Sequence, residues 1–464
     1  MTLSAGLDAL RTPLPAFALA TVVGAGALAG SPLAGPPSLM LAITLFCVAL
    51  WILNPVPPAY TGVLCLGLVG VAFSADLALV GFQSPATWLI GFGILIGVAT
   101  RESGLAGWAG RWFVSRSVPA RWRDDPVRAY ASLMLALCLG ALAFALLVPS
   151  TLVRVLVLAP VLYETGKLFE DREAQVGIFL APLFATFYGG SGIYTAVLPN
   201  VIIAGIAETL GAPAISWTEW AITLFPVMGL ARALLVAAVV YALYRPAPDS
   251  ELSIPETGPE PAGTSEKRML AFLLAGTAFW MTDFFHGAHP VFGAILVVAL
   301  AFLPTVGVLD FSKAGDADYS ILFFLGAVFA IGEGLSQTGF ADLAAESLLG
   351  TIPTEGSLVV ALAFVFGATL LLNLLMEGLA VASVLTPVLV SYASAAGLPL
   401  TPVMMTEALA LSTYFFPYQS AVLVAILAED AVSAGELIRV TVACSLATIL
   451  VLLPIQFGIF SLLY

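Results

Sequence analysis

Residues 133–163 read LMLALCLGALAFALLVPSTLVRVLVLAPVLY, an apolar run that a proline, two hydroxyl side chains and an arginine interrupt near its middle. The interruption is VPSTLVR, residues 148–154. A helix of roughly 20 apolar residues spans the hydrocarbon core of a bilayer. Irregular backbone is tolerated at that depth only where protein or a wet cavity surrounds it. The stretch therefore predicts a re-entrant hairpin of two helices with a polar tip.

Apolar runs of this kind recur along the whole chain. Of the 464 residues, 60% are hydrophobic and only 10% are charged. The four cysteines stand singly within apolar runs, and this spacing argues against a metal cluster or a disulfide framework. We predict an all-α, multi-pass protein of the plasma (inner) membrane with about eleven transmembrane helices. Its partners are the lipid bilayer and a small molecule, and we expect no nucleic-acid partner, no cofactor and no enzymatic chemistry.

The few basic residues are unevenly distributed. Five arginines crowd one predicted loop, residues 111–128. A second basic cluster flanks PAPDSELSIPETGPEPAGTSEK, residues 246–267, which is too polar to bury a core. Because lysine and arginine concentrate in cytoplasmic loops, both segments are predicted to be cytoplasmic. The polar segment is then a linker between two membrane halves.

The two halves repeat each other. TWLIGFGILIGVATRESGLAGW (87–108) aligns without gaps on LFFLGAVFAIGEGLSQTGFADL (322–343), and the shared glycines include Gly104 and Gly339. Trp51 has a counterpart in Trp280, and Pro160 in Pro387. Matches in the same order indicate an internal repeat. The second copy of the arginine-rich loop, 341–357, holds no lysine or arginine and three acidic residues, which predicts that the copies are inverted.

This pattern divides the chain into four parts. We predict an N-terminal transmembrane helix in 1–34, a first inverted repeat in 35–245, the cytoplasmic linker in 246–267 and a second inverted repeat in 268–464. Each repeat is predicted to contain one re-entrant hairpin and one broken helix. Inverted repeats with broken helices are typical of secondary transporters, whose substrate sites lie near the bilayer midplane.

Four short stretches interrupt the apolar runs. In the first half they are the turn at 148–151 and FYGGSGIYTAVLPN (187–200). In the second half they are LLMEGLA (374–380) and STYFFPYQS (412–420). Helix N-termini exposed at such breaks favour anions, and exposed carbonyls favour cations. The four stretches are therefore expected to converge on one site.

Two hairpins with a PST-type turn, a glycine-rich broken helix that closes in LPN, and repeated spans that end in SGL and TGF resemble the divalent anion/sodium symporter (DASS) family of the ion-transporter superfamily. The resemblance covers nearly the whole chain after the first span. It implies a homodimer in which hairpins and broken helices form a mobile transport domain that slides against a scaffold, in an elevator-type cycle.

The resemblance also assigns residues. Ser150, Thr151 and Leu152 occupy the first hairpin tip, where the family has Ser-Asn-Thr. Arg154 matches an arginine found shortly after the tip in some dicarboxylate exchangers, and Pro199-Asn200 matches the first proline-asparagine turn. The second tip departs from the family with Glu377-Gly378-Leu379, and the second turn departs with Pro417-Tyr418-Gln419.

From these matches we expect a small divalent anion, dicarboxylate or sulfate-like, as the substrate. Arg154 is expected to provide the only fixed positive charge near the site, whereas Arg232 is expected near the outer end of its span. The predicted substrate-binding residues are Ser150, Thr151, Arg154, Thr195, Asn200, Glu377, Gly378, Thr413 and Gln419. A sodium ion would use oxygens at Ser150, Gly189, Gly190, Gly192 and Glu377.

The coupling mode is left open by the sequence. Glu377 is compatible with three roles, namely proton carrier, sodium ligand or counter-charge to Arg154. Because both tips lack the asparagine of the family, proton coupling or anion exchange is favoured over sodium coupling. A sodium/proton antiporter or other cation carrier of the same superfamily is the alternative. A channel is disfavoured because the polar residues are clustered and do not follow a continuous path.

Overall fold

The computed structural model describes residues 12–464 except 31–32, 34, 120–121, 123–124, 249, 251–260 and 350–356. Within these residues the regular secondary structure is helical, with no strand. In chain order the α-helices are α1 Pro13–Gly30, α2 Pro36–Leu53, α3 Pro58–Ala72, α4 Ala75–Gln83, α5 Pro85–Glu102, α6 Leu105–Ser117, α7 Pro126–Leu147, α8 Thr151–Gly166, α9 Arg172–Gly189, α10 Leu198–Thr209, α11 Trp217–Leu224, α12 Arg232–Leu243, α13 Thr264–Met281, α14 Asp283–His286, α15 Val291–Ala301, α16 Ile321–Gln337, α17 Phe340–Leu349, α18 Leu358–Leu375, α19 Gly378–Ala396, α20 Leu400–Leu411, α21 Ala421–Ala428, α22 Ala434–Ala447 and α23 Leu453–Leu463.

Shorter helical turns connect several of these helices. Three are 3-10 turns, at Gly190–Gly192, Phe311–Asp316 and Pro417–Gln419. Two are π-helical, at Phe225–Ala231 and Thr448–Leu452. Each π turn joins two α-helices in corresponding positions of the two halves, α11 to α12 and α22 to α23. Pro226 lies within the first π turn and Pro454 follows the second, and proline disturbs the regular α-helical hydrogen bonding because it lacks an N–H.

The helices confirm the predicted class of an all-α membrane protein. Seven helical segments of the described chain are long and apolar enough to cross a membrane, or up to nine if each of two bent pairs is one span. Two of the seven run through a π turn, α11 to α12 and α22 to α23. Four apolar helices are shorter, α3, α10, α15 and α20. The predicted count of about eleven is not confirmed, because the breaks leave helices that are individually too short to span.

Equivalent helices in the two halves end in the same way. Gly104 follows α5 with φ of 76°, and Gly339 follows α16 with φ of 81°. This left-handed conformation ends a helix and suits glycine, which has no Cβ. Trp51 and Trp280 also make matching bonds, since each indole N–H donates to a proline carbonyl, that of Pro58 at 3.3 Å and that of Pro290 at 2.8 Å. The paired residues of the two halves therefore have the same structural roles.

The two halves pack through exchanged partners. Helix α3 of the first half packs against α16 of the second, and α15 of the second packs against α5 of the first. The helices after the hairpin tips behave likewise, because α8 packs against α21 and α19 packs against α10. Each half therefore contributes helices that pack against the helices of the other half.

Some segments predicted as loops are helical. Arg111 and Arg116 lie on α6, whereas Arg121 and Arg123 lie outside the described residues. The equivalent segment 341–357 is helical as far as Leu349 and lies outside the described residues at 350–356. The polar residues of these two segments favoured the prediction of loops, although helices occupy part of both segments. Helix α13 begins at Thr264 within the predicted linker, of which 249 and 251–260 are not described. The domain boundaries and the inversion of the second repeat remain predictions.

Candidate functional site

The helices are interrupted at all four predicted positions. Helix α7 ends at Leu147 and α8 begins at Thr151, and in the second half α18 ends at Leu375 and α19 begins at Gly378. Between α9 and α10 the chain is unwound or 3-10 helical over 190–197, and between α20 and α21 over 412–420. We call 190–197 the first unwound segment and 412–420 the second.

The first hairpin tip is capped by its own serine. The Ser150 hydroxyl accepts a hydrogen bond from the Val153 N–H at 3.4 Å, which is long for this interaction. The Thr151 hydroxyl donates to the carbonyl of Ala196 in the first unwound segment at 3.0 Å. A hydroxyl N-cap stabilises a helix whether or not a ligand is present. The tip is thus attached to the first unwound segment by a direct side-chain bond.

Arg154 lies one turn beyond this tip and is 0% exposed. Its Nε donates to the Thr186 hydroxyl at 2.8 Å, and Nη1 donates to the carbonyls of Val148 at 2.7 Å and Ala196 at 2.9 Å. Nη2 donates to the Thr151 hydroxyl at 3.1 Å and to the Thr186 carbonyl at 3.2 Å. A guanidinium has five N–H donors. All of them are used within the protein, so Arg154 joins the tip, α9 and the first unwound segment.

Asn200 gives the first unwound segment its shape. Its side-chain amide donates to the carbonyls of Ser191 at 3.1 Å and Ile193 at 3.0 Å, while its Oδ1 is buried without a partner in the described structure. Gly190 lies against the arginine, since a Cβ there would be 3.1 Å from Arg154 Nη2. Thr195 instead accepts from the Trp217 indole at 3.2 Å. Its bond connects the segment to α11.

The second hairpin tip is capped by a carboxylate. Glu377 Oε2 accepts from the backbone N–H groups of Leu379 at 2.9 Å and Ala380 at 3.4 Å. The side chain is half-buried, whereas the adjacent Gly378 is buried, and a Cβ at Gly378 would lie 3.1 Å from Asn373 Oδ1. The positive end of α19 is therefore already occupied by a negative group of the protein itself.

The second unwound segment is held by its backbone carbonyls. Those of residues 412–415 each accept a hydrogen bond from a side chain elsewhere in the fold. The donors are Arg232 to Ser412 at 3.0 Å, Asn373 to Thr413 at 3.2 Å, Tyr188 and Ser445 to Tyr414 at 3.1 and 2.6 Å, and Thr441 to Phe415 at 2.8 Å. Gln419 accepts from the N–H groups of Phe415 and Phe416 and donates to the Asn373 carbonyl. The Thr413 hydroxyl bonds back to the Leu409 carbonyl.

The sequence predicted Arg232 near the outer end of its span, and this prediction is wrong. Arg232 is 0% exposed and contacts both unwound segments. Its Nη1 donates to the Ser191 hydroxyl at 3.0 Å and to the Tyr188 carbonyl at 3.4 Å, and its Nη2 reaches the Ser412 carbonyl. The guanidinium carbon lies 4.6 Å from the centre of the Tyr188 ring, a cation–π contact. Arg154 is therefore not the only fixed positive charge in this region.

The predicted site residues fall into two groups. Thr151, Arg154 and Asn200 gather around the first unwound segment, and Ser150 caps the tip beside them. Glu377, Gly378, Thr413 and Gln419 gather around Asn373 and the second segment, with Glu377 at the adjoining tip. In the described structure no hydrogen bond or ion pair joins Arg154 to Glu377. The bridge between the groups is formed by Arg232 and Tyr188, neither of which is among the predicted site residues.

The residues predicted for sodium are divided in the same way. Gly189, Gly190 and Gly192 share one turn, and the Gly190 carbonyl accepts from the Ile193 N–H at 2.9 Å. Glu377 lies at the opposite tip and accepts from its own helix. Among the residues described, no group of three or more histidine, cysteine or acidic side chains could hold a metal ion. The predicted coupling ion, sodium or a proton, stays a prediction.

Comparisons with known proteins agree with this architecture. A family model described as "CitMHS: Citrate transporter" matches residues 48–411. The L-tartrate/succinate antiporters of Escherichia coli strain K12 and Shigella boydii serotype 4 are each 24% identical over 406 residues, which cover 79% of this chain and 81% of theirs. The crystal structure of the Alcanivorax borkumensis YdaH transporter, 17% identical, superposes with a TM-score of 0.54 and covers 93% of this chain and 99% of that one.

The structural likeness supports the fold alone, whereas the family match extends over most of the chain. It confirms the resemblance to DASS-type transporters that the hairpin tips and broken helices indicated. On this evidence the chain belongs to the citrate transporter (CitMHS) family and is a multi-pass transporter of the inner membrane, not an enzyme.

Proposed function

We propose that the protein is a secondary transporter of small dicarboxylates, with sulfate-like dianions as the second substrate class. The names of its relatives, L-tartrate/succinate antiporters and a citrate transporter family, support a carboxylate substrate. The observation that carries the proposal is the pair of buried guanidinium groups, Arg154 and Arg232, around the unwound segments. Neither forms an ion pair with a carboxylate in the described structure, and a buried charge without a counter-charge favours the approach of an anion.

The first hairpin tip is the better anion site. Ser150 caps α8 only weakly, which leaves the positive end of that helix for a ligand. At the second tip the Glu377 carboxylate already accepts from two backbone N–H groups. A substrate anion near that tip would meet a like charge unless Glu377 were protonated or displaced. We therefore place the substrate against Ser150, Thr151 and the first unwound segment, with Glu377 facing it from the other half.

This arrangement favours proton coupling or anion exchange over sodium coupling. A proton on Glu377 would remove the repulsion and weaken the cap, so protonation and substrate binding would assist each other. Sodium needs several oxygen ligands, whereas the carbonyls of 412–415 already accept hydrogen bonds from side chains. The elevator-type movement and the homodimer are proposed from the family resemblance.

The experiment that tests the function is uptake into proteoliposomes that contain the purified protein. Vesicles preloaded with unlabelled succinate or tartrate are expected to take up labelled succinate, and uptake should be inhibited by sulfate if sulfate-like dianions bind. Sodium and proton fluxes are monitored in the same vesicles. Cation flux without any carboxylate uptake would refute the proposal and favour the cation carrier.

A further inference from the structure

Two arginines are buried in the described structure, and burial of a charge in a membrane protein is expensive. Arg154 and Arg232 are both 0% exposed, and neither belongs to an ion pair among the described residues. Such residues are retained where they bind other groups. The hydrogen-bond partners of each guanidinium indicate which groups those are.

Arg154 has no donor left for a ligand. Its five N–H groups all donate to hydroxyl or carbonyl oxygens of the protein, at distances from 2.7 to 3.2 Å. A substrate carboxylate could bond to this guanidinium only by displacing one of these oxygens. Arg154 therefore acts through the residues that it holds in place.

Arg232 differs in this respect. Three hydrogen bonds use its two terminal nitrogens, and Nε is buried without a partner. The hydroxyl of Ser412, whose carbonyl Arg232 contacts, is also buried without a partner. A carboxylate characteristically accepts two parallel N–H bonds from a guanidinium, and it also accepts from a hydroxyl. The Arg232 Nε–H and the Ser412 hydroxyl are thus two donors that the described structure leaves unused and from which a carboxylate could accept.

The position of Arg232 fits this role. It contacts Ser191 in the first unwound segment and Ser412 in the second, so a ligand bound there touches both halves of the fold. It directly follows the π turn Phe225–Ala231, which packs against the turn Gly190–Gly192. Single π turns within helices often occur at functional sites because they redirect a side chain.

We propose that Arg232, with the Ser412 hydroxyl, binds a carboxylate of the substrate and determines the preference for a dianion over a monoanion. This rests on the proposed function and adds to it the residue that recognises the second negative charge. Because Arg232 is closed off from solvent in this structure, the substrate reaches it when the two unwound segments separate. Arg154 remains a positioning residue for the first tip.

The test compares two substrates of similar size in proteoliposomes, succinate and succinamate, in which a neutral amide replaces one carboxylate. In Arg232→Gln the KM for succinate should rise about tenfold or more, the scale of a hydrogen bond to a charged group, with little change for succinamate. Arg232→Lys keeps the charge and should restore part of the selectivity. Arg154→Gln should leave the succinate-to-succinamate ratio unchanged, as should Arg128→Gln, an exposed residue paired with Asp125.

A second measurement covers the case in which Arg232→Gln does not fold. A Ser412→Cys variant, made after the native cysteines are replaced, should react with a small thiol reagent during turnover and be protected by succinate more than by succinamate. Three results would overturn the inference: equal loss of succinate and succinamate transport in Arg232→Gln, no recovery of selectivity in Arg232→Lys, or equal protection of Ser412→Cys by the two compounds. Failure of the unmodified protein to transport either compound would instead refute the proposed function.

Discussion

Arg154 offers the most direct test of the structural reasoning, because the sequence and the structure give it different tasks. The change to examine is Arg154→Met, which keeps much of the side-chain volume and removes all five hydrogen bonds. A bond from a charged donor contributes about 1.5–3 kcal/mol to stability, but bonds that share one guanidinium group do not add up independently. Removal of the buried charge recovers several kcal/mol of desolvation free energy.

Two of the five acceptor atoms limit the net effect, whereas the buried Thr186 hydroxyl loses its bond from Arg154. The Val148 carbonyl keeps a bond from the Ser150 N–H at 2.9 Å, and the Ala196 carbonyl keeps the Thr151 hydroxyl. Neither becomes an unpartnered buried group. We therefore expect a net destabilisation of about 2–4 kcal/mol, typical of a disrupted buried network. The first hairpin tip should detach from the first unwound segment before the rest of the fold is lost.

The assay is thermal unfolding of the detergent-solubilised protein, followed by fluorescence-detected size-exclusion chromatography. The matched control is Arg128→Met, since Arg128 is 70% exposed and makes a surface ion pair worth about 0–1 kcal/mol. Arg154→Met should melt clearly below both the unmodified protein and this control. If it melts with them and instead shows a raised KM, Arg154 is a substrate ligand and the reasoning from its five bonds is wrong.

The other predictions address coupling, topology and packing. In Glu377→Gln, initial succinate uptake should lose its response to an imposed pH gradient; steep sodium dependence that persists in this variant would restore sodium symport. In intact cells that express the protein without its native cysteines, an impermeant thiol reagent should label Glu346→Cys and spare Arg116→Cys. The reverse pattern would contradict the predicted inversion. Gly190→Ala places a Cβ 3.0 Å from Val197 Cγ1 and 3.1 Å from Arg154 Nη2, so it should cost about 1–3 kcal/mol of stability, measured by thermal unfolding. The control is Gly26→Ala, where the added Cβ meets nothing within 4 Å. If the two variants melt together, the packing around Gly190 is loose.

The helix interruptions could be predicted from the sequence because their causes are local. Proline, glycine runs and polar residues within apolar stretches each disfavour a continuous helix, and all four breaks carry such residues. The repeat was likewise readable, since Gly104 and Gly339 are required by the same left-handed backbone conformation. Features set by neighbouring residues in the chain are thus accessible without a structure.

The contacts of the site depend on residues far apart in the chain. Arg232 bridges residues 191 and 412, and its sequence signal, an arginine within an apolar run, is the same as that of a side chain that reaches towards the membrane surface. The direction in which the Glu377 side chain points could not be predicted from the sequence either. Glu377 was correctly placed at a hairpin tip, but the sequence did not reveal that its carboxylate turns back onto α19.

The second unwound segment has a shape that other helices impose on it. Donors on α9, α12, α18 and α22 hold its carbonyls at 412–415, and these bonds involve only backbone atoms of the segment. Substitution of Ser412, whose hydroxyl makes no hydrogen bond in the described structure, can therefore alter the lining of the site without removing these bonds. A backbone held in this way gives evolution a means to change the side chains that face the substrate one at a time, while the carbonyls around the substrate stay in place.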